Sequence, residues 1–261
     1  MSSSEITCTS DDAVATLTLS NPDRLNAINA KMWSELRTAL EAIGSDPDLR
    51  CVIIRGAGDK AFAAGGDIEE FRSVRATVDD ALHYHETLVA AALEAIRNCP
   101  IPTIAAIQGA CIGGGLEIAG CCDLRIAGSS ARFGAPINRL GFSMYPGEMA
   151  GLLNLVGPAV LLEILLEGRI LSASEALQKG LLTRVVNDHA VHHEALESAL
   201  RIKAGAPLVA KWHKLWVKRL MNGHALADDE KRAAFAFLDT EDYAEGLAAF
   251  FEKRAPDFRG R

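Results

Sequence analysis

Two glycine-rich stretches decide the reading of this chain: Ala61-Phe62-Ala63-Ala64-Gly65-Gly66-Asp67-Ile68 and Gly109-Ala110-Cys111-Ile112-Gly113-Gly114-Gly115-Leu116-Glu117. Each follows a short apolar run, Cys51-Val52-Ile53-Ile54 in one case and Thr103 to Ile107 in the other, of the kind that forms a buried strand. Each leads into a helix. Glycine is entropically costly, so it concentrates where the backbone must turn sharply or approach another group closely. A helix that begins at such a loop presents N–H groups with no intrahelical partner. Two such N–H groups converging on one carbonyl oxygen make an oxyanion hole. Taken singly, either loop also reads as a tight turn.

Working outward, Ile6 to Cys8 and Val14 to Leu19 alternate as a strand pair, with Ser10-Asp11-Asp12 as the turn. Met32, Trp33, Leu36, Leu40 and Ile43 recur at helical spacing over 29–43. A glycine-rich loop is expected over 56–67, and one long helix over 78–98, ended by Pro100 and Pro102. Leu124 to Ala127 reads as a further strand. Ser172 or Ser174 can cap a helix that Gly180 stops. Helical patterns then fill 188–203, 207–221, 228–238 and 241–254. Strands alternating with helices therefore fill the first two thirds, helices the last, and no internal repeat is visible. The fold class is α/β.

The chain has 261 residues, long enough to bury a large core without disulfides or metal. Its 27 Lys and Arg against 34 Asp and Glu give a net charge of −7, a poor balance for gripping nucleic acid. The beginning, MSSSEITCTSDD, has neither basic nor apolar regions of a secretory leader, and the greasiest stretch, 150–168, is broken by Asn154, Pro158 and Glu163. A cytoplasmic protein that does not cross a membrane is expected. The six cysteines form no CxxC pair and read as buried, reduced thiols, with Cys111 open to a catalytic role. His83 and His85, two apart, lie on different faces of a helix that can border a pocket, and read as surface residues rather than a metal pair. The stripe Trp212, Leu215 and Trp216 reads as packing or subunit contact.

The two glycine loops occur in company. Asp23 to Asn29, Phe62 to Ile68, Gly113 to Glu117, Cys122 to Ala127, Phe133 to Pro136, Leu140-Gly141, and Glu241 to Gly246 through Phe250 to Arg254 together resemble the crotonase family, also called the enoyl-CoA hydratase/isomerase family. The resemblance covers nearly the whole chain. It implies a crotonase-like spiral of β-β-α units over 1–200 and a C-terminal helical trimerisation region over 201–261. It implies a homotrimer or dimer of trimers acting on an acyl-CoA thioester, with coenzyme A carried by the substrate and no resident cofactor or metal. By that resemblance, Gly66 and Gly114 hold the thioester oxygen. Arg24, Leu25, Ala27, Ala64, Asp67 and Ile68 border the CoA path, while Phe250 and Lys253 reach a neighbouring subunit's CoA. Lys253 also reads as part of a solvated helix face.

Hydration of an enoyl thioester needs a base for water and an acid for the α-carbon. Hydratases of the family use two glutamates. The first matches Glu117, a carboxyl costly to bury among Leu116, Ile118 and Ala119 without a purpose. The second falls twenty residues on, at Ile137, which can neither give nor take a proton. Tyr145 reads as a hydrogen-bonding or proton-donating residue, or as packing. Glu148 reads as a substitute carboxyl, or as a favourable first-turn charge. An enoyl-CoA hydratase-like lyase is the expectation. The alternatives are another reaction of the family (decarboxylation, isomerisation or thioester hydrolysis) and a non-catalytic acyl-CoA binder.

Overall fold

A computed structural model describes residues 4–221 and 223–261; Met1 to Ser3, on which part of the leader-peptide expectation falls, lie outside them. Strands β1 (Glu5–Asp11) and β2 (Val14–Ser20) pair antiparallel with Asp11 opposite Val14. The turn is therefore Asp12-Ala13, not Ser10 to Asp12. Both turn residues have positive φ, 45° and 65°. A two-residue turn of that hand matches the twist of the strands it joins, which a longer turn here would not require. Helix α1 (Ala30–Ser45) is capped by Asn29, whose side chain accepts from the Met32 N–H at 2.9 Å. It buries the five residues that its periodicity singles out. Each contributes about 1.5–3 kcal/mol of apolar burial.

The centre of the molecule repeats one motif. β3 (Cys51–Gly56) is followed by β4 (Ala61–Ala63) and then by a helical stretch: α2 (Phe71–Val74), α3 (Val78–Leu82), a π-helical segment His83–Ala90, and α4 (Ala91–Asn98). β5 (Thr103–Ile107) is followed by β6 (Ala110–Ile112) and α5 (Gly114–Cys121). β7 (Leu124–Gly128) is followed by β8 (Arg132–Gly134) and α6 (Pro146–Glu167). The first strand of each unit enters a six-stranded sheet ordered β1-β2-β3-β5-β7-β10, and the second enters a four-stranded sheet ordered β4-β6-β8-β9. The chain thus has a three-dimensional repeat, a spiral of β-β-α units, although its sequence shows none. The expected loop over 56–67 contains β4. Strands of three residues are too short to leave a period.

Both faces of the larger sheet are covered, which explains its unbroken apolar runs. Val52, Ile54, Ala105 and Ile107 face the main core with α1 and α4. Cys51, Ile53, Ile104, Ala106 and Ile126 face Val191, Ala195 and Ala199 of α8 (Val191–Lys203). Between these lie β9 (Leu171–Ser172), α7 (Ala173–Gln178) and β10 (Arg184–Val186). Ser172 is the α7 cap, in a reciprocal pair with Glu175. The chain closes with α9 (Pro207–Met221), α10 (Asp228–Ala233) and α11 (Glu241–Glu252).

Three further expectations change. The run 78–98 is helical throughout but not one α-helix, because its middle is wound as a π-segment. Cys8 is exposed on β1 while the other five cysteines are buried, and all six are free. Finally, among the described residues α6 alone is long and apolar enough to cross a membrane by length and composition, with a mean hydropathy of 2.0. It is two helices meeting at Gly157 (φ 71°, ψ 173°), just before Pro158. Leu152, Leu161 and Ile164 face the core, while Leu153, Leu162 and Leu166 are exposed.

Candidate active site

The two glycine loops meet. Gly113, with φ 50°, is the N-cap of α5, and a Cβ built on it would lie 3.5 Å from the Gly65 Cα. Gly115 is pressed harder: its Cβ would stand 2.4 Å from the Ala63 carbonyl oxygen. Any side chain there would push α5 off β4. The Gly113 N–H donates to the Gly134 carbonyl, and the first helical bond runs from the Glu117 N–H to the Gly113 carbonyl. The Gly114 N–H therefore belongs to the first turn, which has no intrahelical acceptor. On the other loop, Gly66 forms a parallel bridge with Ile28. That bridge uses the N–H groups of Ile28 and Asp67 and leaves the Gly66 N–H out of it.

Both loops line a cavity of about 190 Å³. Its wall is mostly apolar, with Trp33, Phe71, Val89, Ile112, Ile137 and Phe142 among the lining residues. Of the sequence-selected residues, Ala64, Gly66, Ile68, Gly114, Glu117, Ile137 and Glu148 line it. Arg24, Leu25, Ala27, Asp67, Tyr145, Phe250 and Lys253 do not. Arg24 is committed to the loop itself, donating to Asp67 at 3.2 Å and to Glu69 at 2.5 Å. Leu25 and Ile68 are 47% and 57% exposed, leaving apolar surface on the two loops that Arg24 ties together. Ala27 is buried. Phe250 is 78% exposed and Lys253 ends α11 in a left-handed conformation.

Tyr145 differs from its expected place. Its ring stacks on His85, 5.7 Å between centroids, and its hydroxyl donates to Glu86 rather than lining the cavity. Cys111 is fully buried, and burial holds its thiol far above the ordinary value, so it is a packed core thiol.

Five titratable side chains line the cavity: Arg75, Tyr84, His85, Glu117 and Glu148. His85 lies on a helix expected to border the pocket, but it is not the surface residue it reads as: Glu148 and Tyr145 of another element cover it, while His83 stays exposed. Buried Tyr84 and Val89 are five apart, the spacing of the π-segment. Tyr84 is buried, and desolvation pushes its hydroxyl up to about 12.

Glu117 is 7% exposed, and no hydrogen bond from another described residue reaches its carboxyl group. Desolvation, then the nearby Glu148 carboxyl, raises its pKa well above the usual range, while Arg75 pulls the other way. Glu148 is 4% exposed. Burial raises it to about 8 against the pull of Arg75 and of the Tyr145 backbone N–H. Its Oε1 lies 2.5 Å from the His85 Nδ1. Burial, then the Arg75 charge, pushes His85 down to about 4. Burial thus favours the protonated carboxyl at Glu148 and the neutral imidazole at His85. The Arg75 guanidinium lies 3.6 Å from the Phe71 ring centre and 4.7 Å from that of Phe142, a cation held on aromatic faces.

Such a site offers backbone donors for a developing oxyanion, two buried carboxyls whose proton affinity burial raises, and an apolar wall. Comparison with known proteins identifies the family. Residues 9–261 match the family model described as enoyl-CoA hydratase/isomerase. A probable enoyl-CoA hydratase of Mycobacterium tuberculosis is 37% identical over 96% of each chain. A short-chain-enoyl-CoA hydratase of Clostridium acetobutylicum is 35% identical over 92% of each. A crystal structure described as an enoyl-CoA hydratase/carnithine racemase from Magnetospirillum magneticum superimposes with a TM-score of 0.96, at 48% identity over 98% of this chain and 96% of that one. With the paired glycine loops, the β-β-α spiral and these matches over almost its entire length, the chain belongs to the enoyl-CoA hydratase/isomerase, or crotonase, family.

Proposed function

We propose that this protein is an enoyl-CoA hydratase, adding water across the α,β double bond of an acyl-CoA thioester. One observation carries the reading: two glycine loops from successive β-β-α units border one cavity together with the buried carboxyl of Glu117. The N–H groups of Gly66 and Gly114 bind the thioester oxygen and gain strength as it becomes enolate-like. Glu117, in its ionised form, takes a proton from water as the oxygen attacks the β-carbon. The apolar wall around Ile137 and Phe142 receives the acyl group. Coenzyme A arrives with the substrate and needs no resident cofactor. Leu25, Ala64 and Ile68 offer apolar surface to its arm, with Ala27 packed beneath them, and Arg24 offers a cation near its phosphates, in competition with Asp67 and Glu69.

The chain acts as a trimer or a pair of trimers. Exposed Leu215, Val217, Leu220, Phe250 and Phe251 on α9 and α11 support assembly, since a monomer gains nothing by wetting them. Lys253 then reaches CoA on a neighbouring subunit.

The test follows the conjugated thioester chromophore of crotonyl-CoA. The wild-type protein removes it, and Glu117→Gln lowers kcat by about 10²–10⁴-fold. Activity that survives the change removes Glu117 from this role. Products other than the 3-hydroxyacyl thioester by mass point to decarboxylation, isomerisation or thioester hydrolysis, and binding without turnover points to an acyl-CoA binder.

A further inference from the structure

Hydration needs two proton-transferring groups, and the loop after β8 presents Ile137 to the cavity where a second carboxyl would stand. We infer that Glu148, positioned by His85, is the second proton-transferring carboxyl of this site, acting from the first turn of α6. This rests on the hydration reading above.

Three features of the structure carry it. Glu148 lines the same cavity as Glu117, with only 5% of its side chain exposed. A carboxyl that deep is costly unless partnered, and its partner is His85 at 2.5 Å, itself lining the cavity. The two carboxyls also occupy equivalent places in the fold. Glu117 lies in the first turn of the helix that follows β5-β6, and Glu148 in the first turn of the helix that follows β7-β8. Successive units therefore deliver their first-turn carboxyls to one cavity. The remaining candidates fit less well: Tyr84 holds its proton up to about 12, and Tyr145 is turned to Glu86.

In this arrangement neutral His85 donates from Nδ1 to the Glu148 Oε1, and the acid proton sits on Oε2. Water loses a proton to Glu117 while its oxygen bonds to the β-carbon. The π electron pair moves to the enolate held by Gly66 and Gly114. The α-carbon then takes the proton from Glu148 Oε2, and the resulting carboxylate is held by a charge-assisted bond from His85. One water is added, no electrons leave or enter, and one proton passing back from Glu117 to Glu148 resets the pair. The titratable and charged groups that face Glu148 are His85 and Tyr84 from the π-segment, Arg75 after α2, Glu117 from α5, and Tyr145, through its N–H and its hydroxyl, at the start of α6.

The experiment measures two rates in wild type and Glu148→Gln, with folding checked by circular dichroism. The first is crotonyl-CoA hydration; the second is exchange of the α-protons of butyryl-CoA in D2O, followed by NMR, which needs the enolate and the α-proton carrier but no water addition. The inference expects Glu148→Gln to lower hydration kcat by about 10²-fold or more with KM within about threefold, and to lower exchange comparably. Hydration within about threefold of wild type in Glu148→Gln overturns it. If wild type exchanges α-protons but hydrates nothing, the hydratase reading fails alone, and the exchange rate of Glu148→Gln still decides the role of Glu148. A wild type that does neither overturns both. For His85, the alkaline limb of the pH–kcat profile is the readout: His85→Ala moves it, and His85→Gln, whose amide can donate to Oε1, restores it. An unmoved limb in His85→Ala removes the positioning role.

Discussion

The loop from β6 to α5 and the loop from β8 to α6 occupy equivalent places in successive units, yet they are built differently. The first is tight: Gly113 caps α5 directly, and Gly115 lies against β4 with no room for a methyl group. Its carboxyl follows after two residues. The second is long: a 3-10 turn, Pro136–Leu140, and a stretch to Tyr145 separate β8 from α6. Gly141 turns it at φ 78°, with open space where a Cβ would be. The short loop fixes a backbone donor and a carboxyl together. The long loop leaves its own wall residue, Ile137, apolar and brings its carboxyl from the helix beyond. Two carboxyls thus reach one cavity from differently built loops, and the second meets its partner, His85, on a neighbouring element.

The contrast can be broken by substitution. The largest structural effect is expected from Gly115→Ala: the added Cβ meets backbone, which can only shift, and the loss is about 3 kcal/mol. Denaturant unfolding checks it, and an unchanged midpoint would mean that α5 can lift from β4 freely. Next comes pH. Glu148 is raised from 4.5 to about 8 and His85 lowered from 6.5 to about 4. Between about 4.5 and 6.5 the unfolded pair carries its proton on His85 and the folded pair on Glu148, so the counts match and stability is flat. From about 6.5 to 8 only the folded pair retains the proton, and stability falls as pH rises, by about 1–2 kcal/mol. The melting temperature of wild type therefore drops more steeply over that window than that of Glu148→Gln, by roughly 2–4 °C per kcal/mol. Parallel profiles would contradict a buried, protonated Glu148. The smallest effect belongs to the long loop: Gly141→Ala adds no clash and costs about 1 kcal/mol for the left-handed backbone, again by denaturant midpoint.

The reading from sequence reached further in some regions than in others. The α1 stripe was legible because five apolar residues at helical spacing face one core. The runs at β3 and β5 were legible because strands covered on both faces are apolar throughout. Glu117 stood out as a carboxyl among apolar neighbours. His85 was placed on a helix bordering the pocket but read as a surface residue, because what covers it, Glu148 and Tyr145, comes from another element, and three-residue strands such as β4 carry no period at all. Tyr145 and Glu148 were both candidates, and nothing in their spacing chose between them.

What the sequence determined by itself is therefore local and repetitive: the glycine loops after apolar strands, the helix faces, the α/β class and the family. Which carboxyl faces which was decided by the tertiary structure. Glu117, Glu148 and His85 are contributed by three separate elements, and their proton affinities depend on burial and mutual distance. Neither quantity exists until the two sheets and the helices between them have packed.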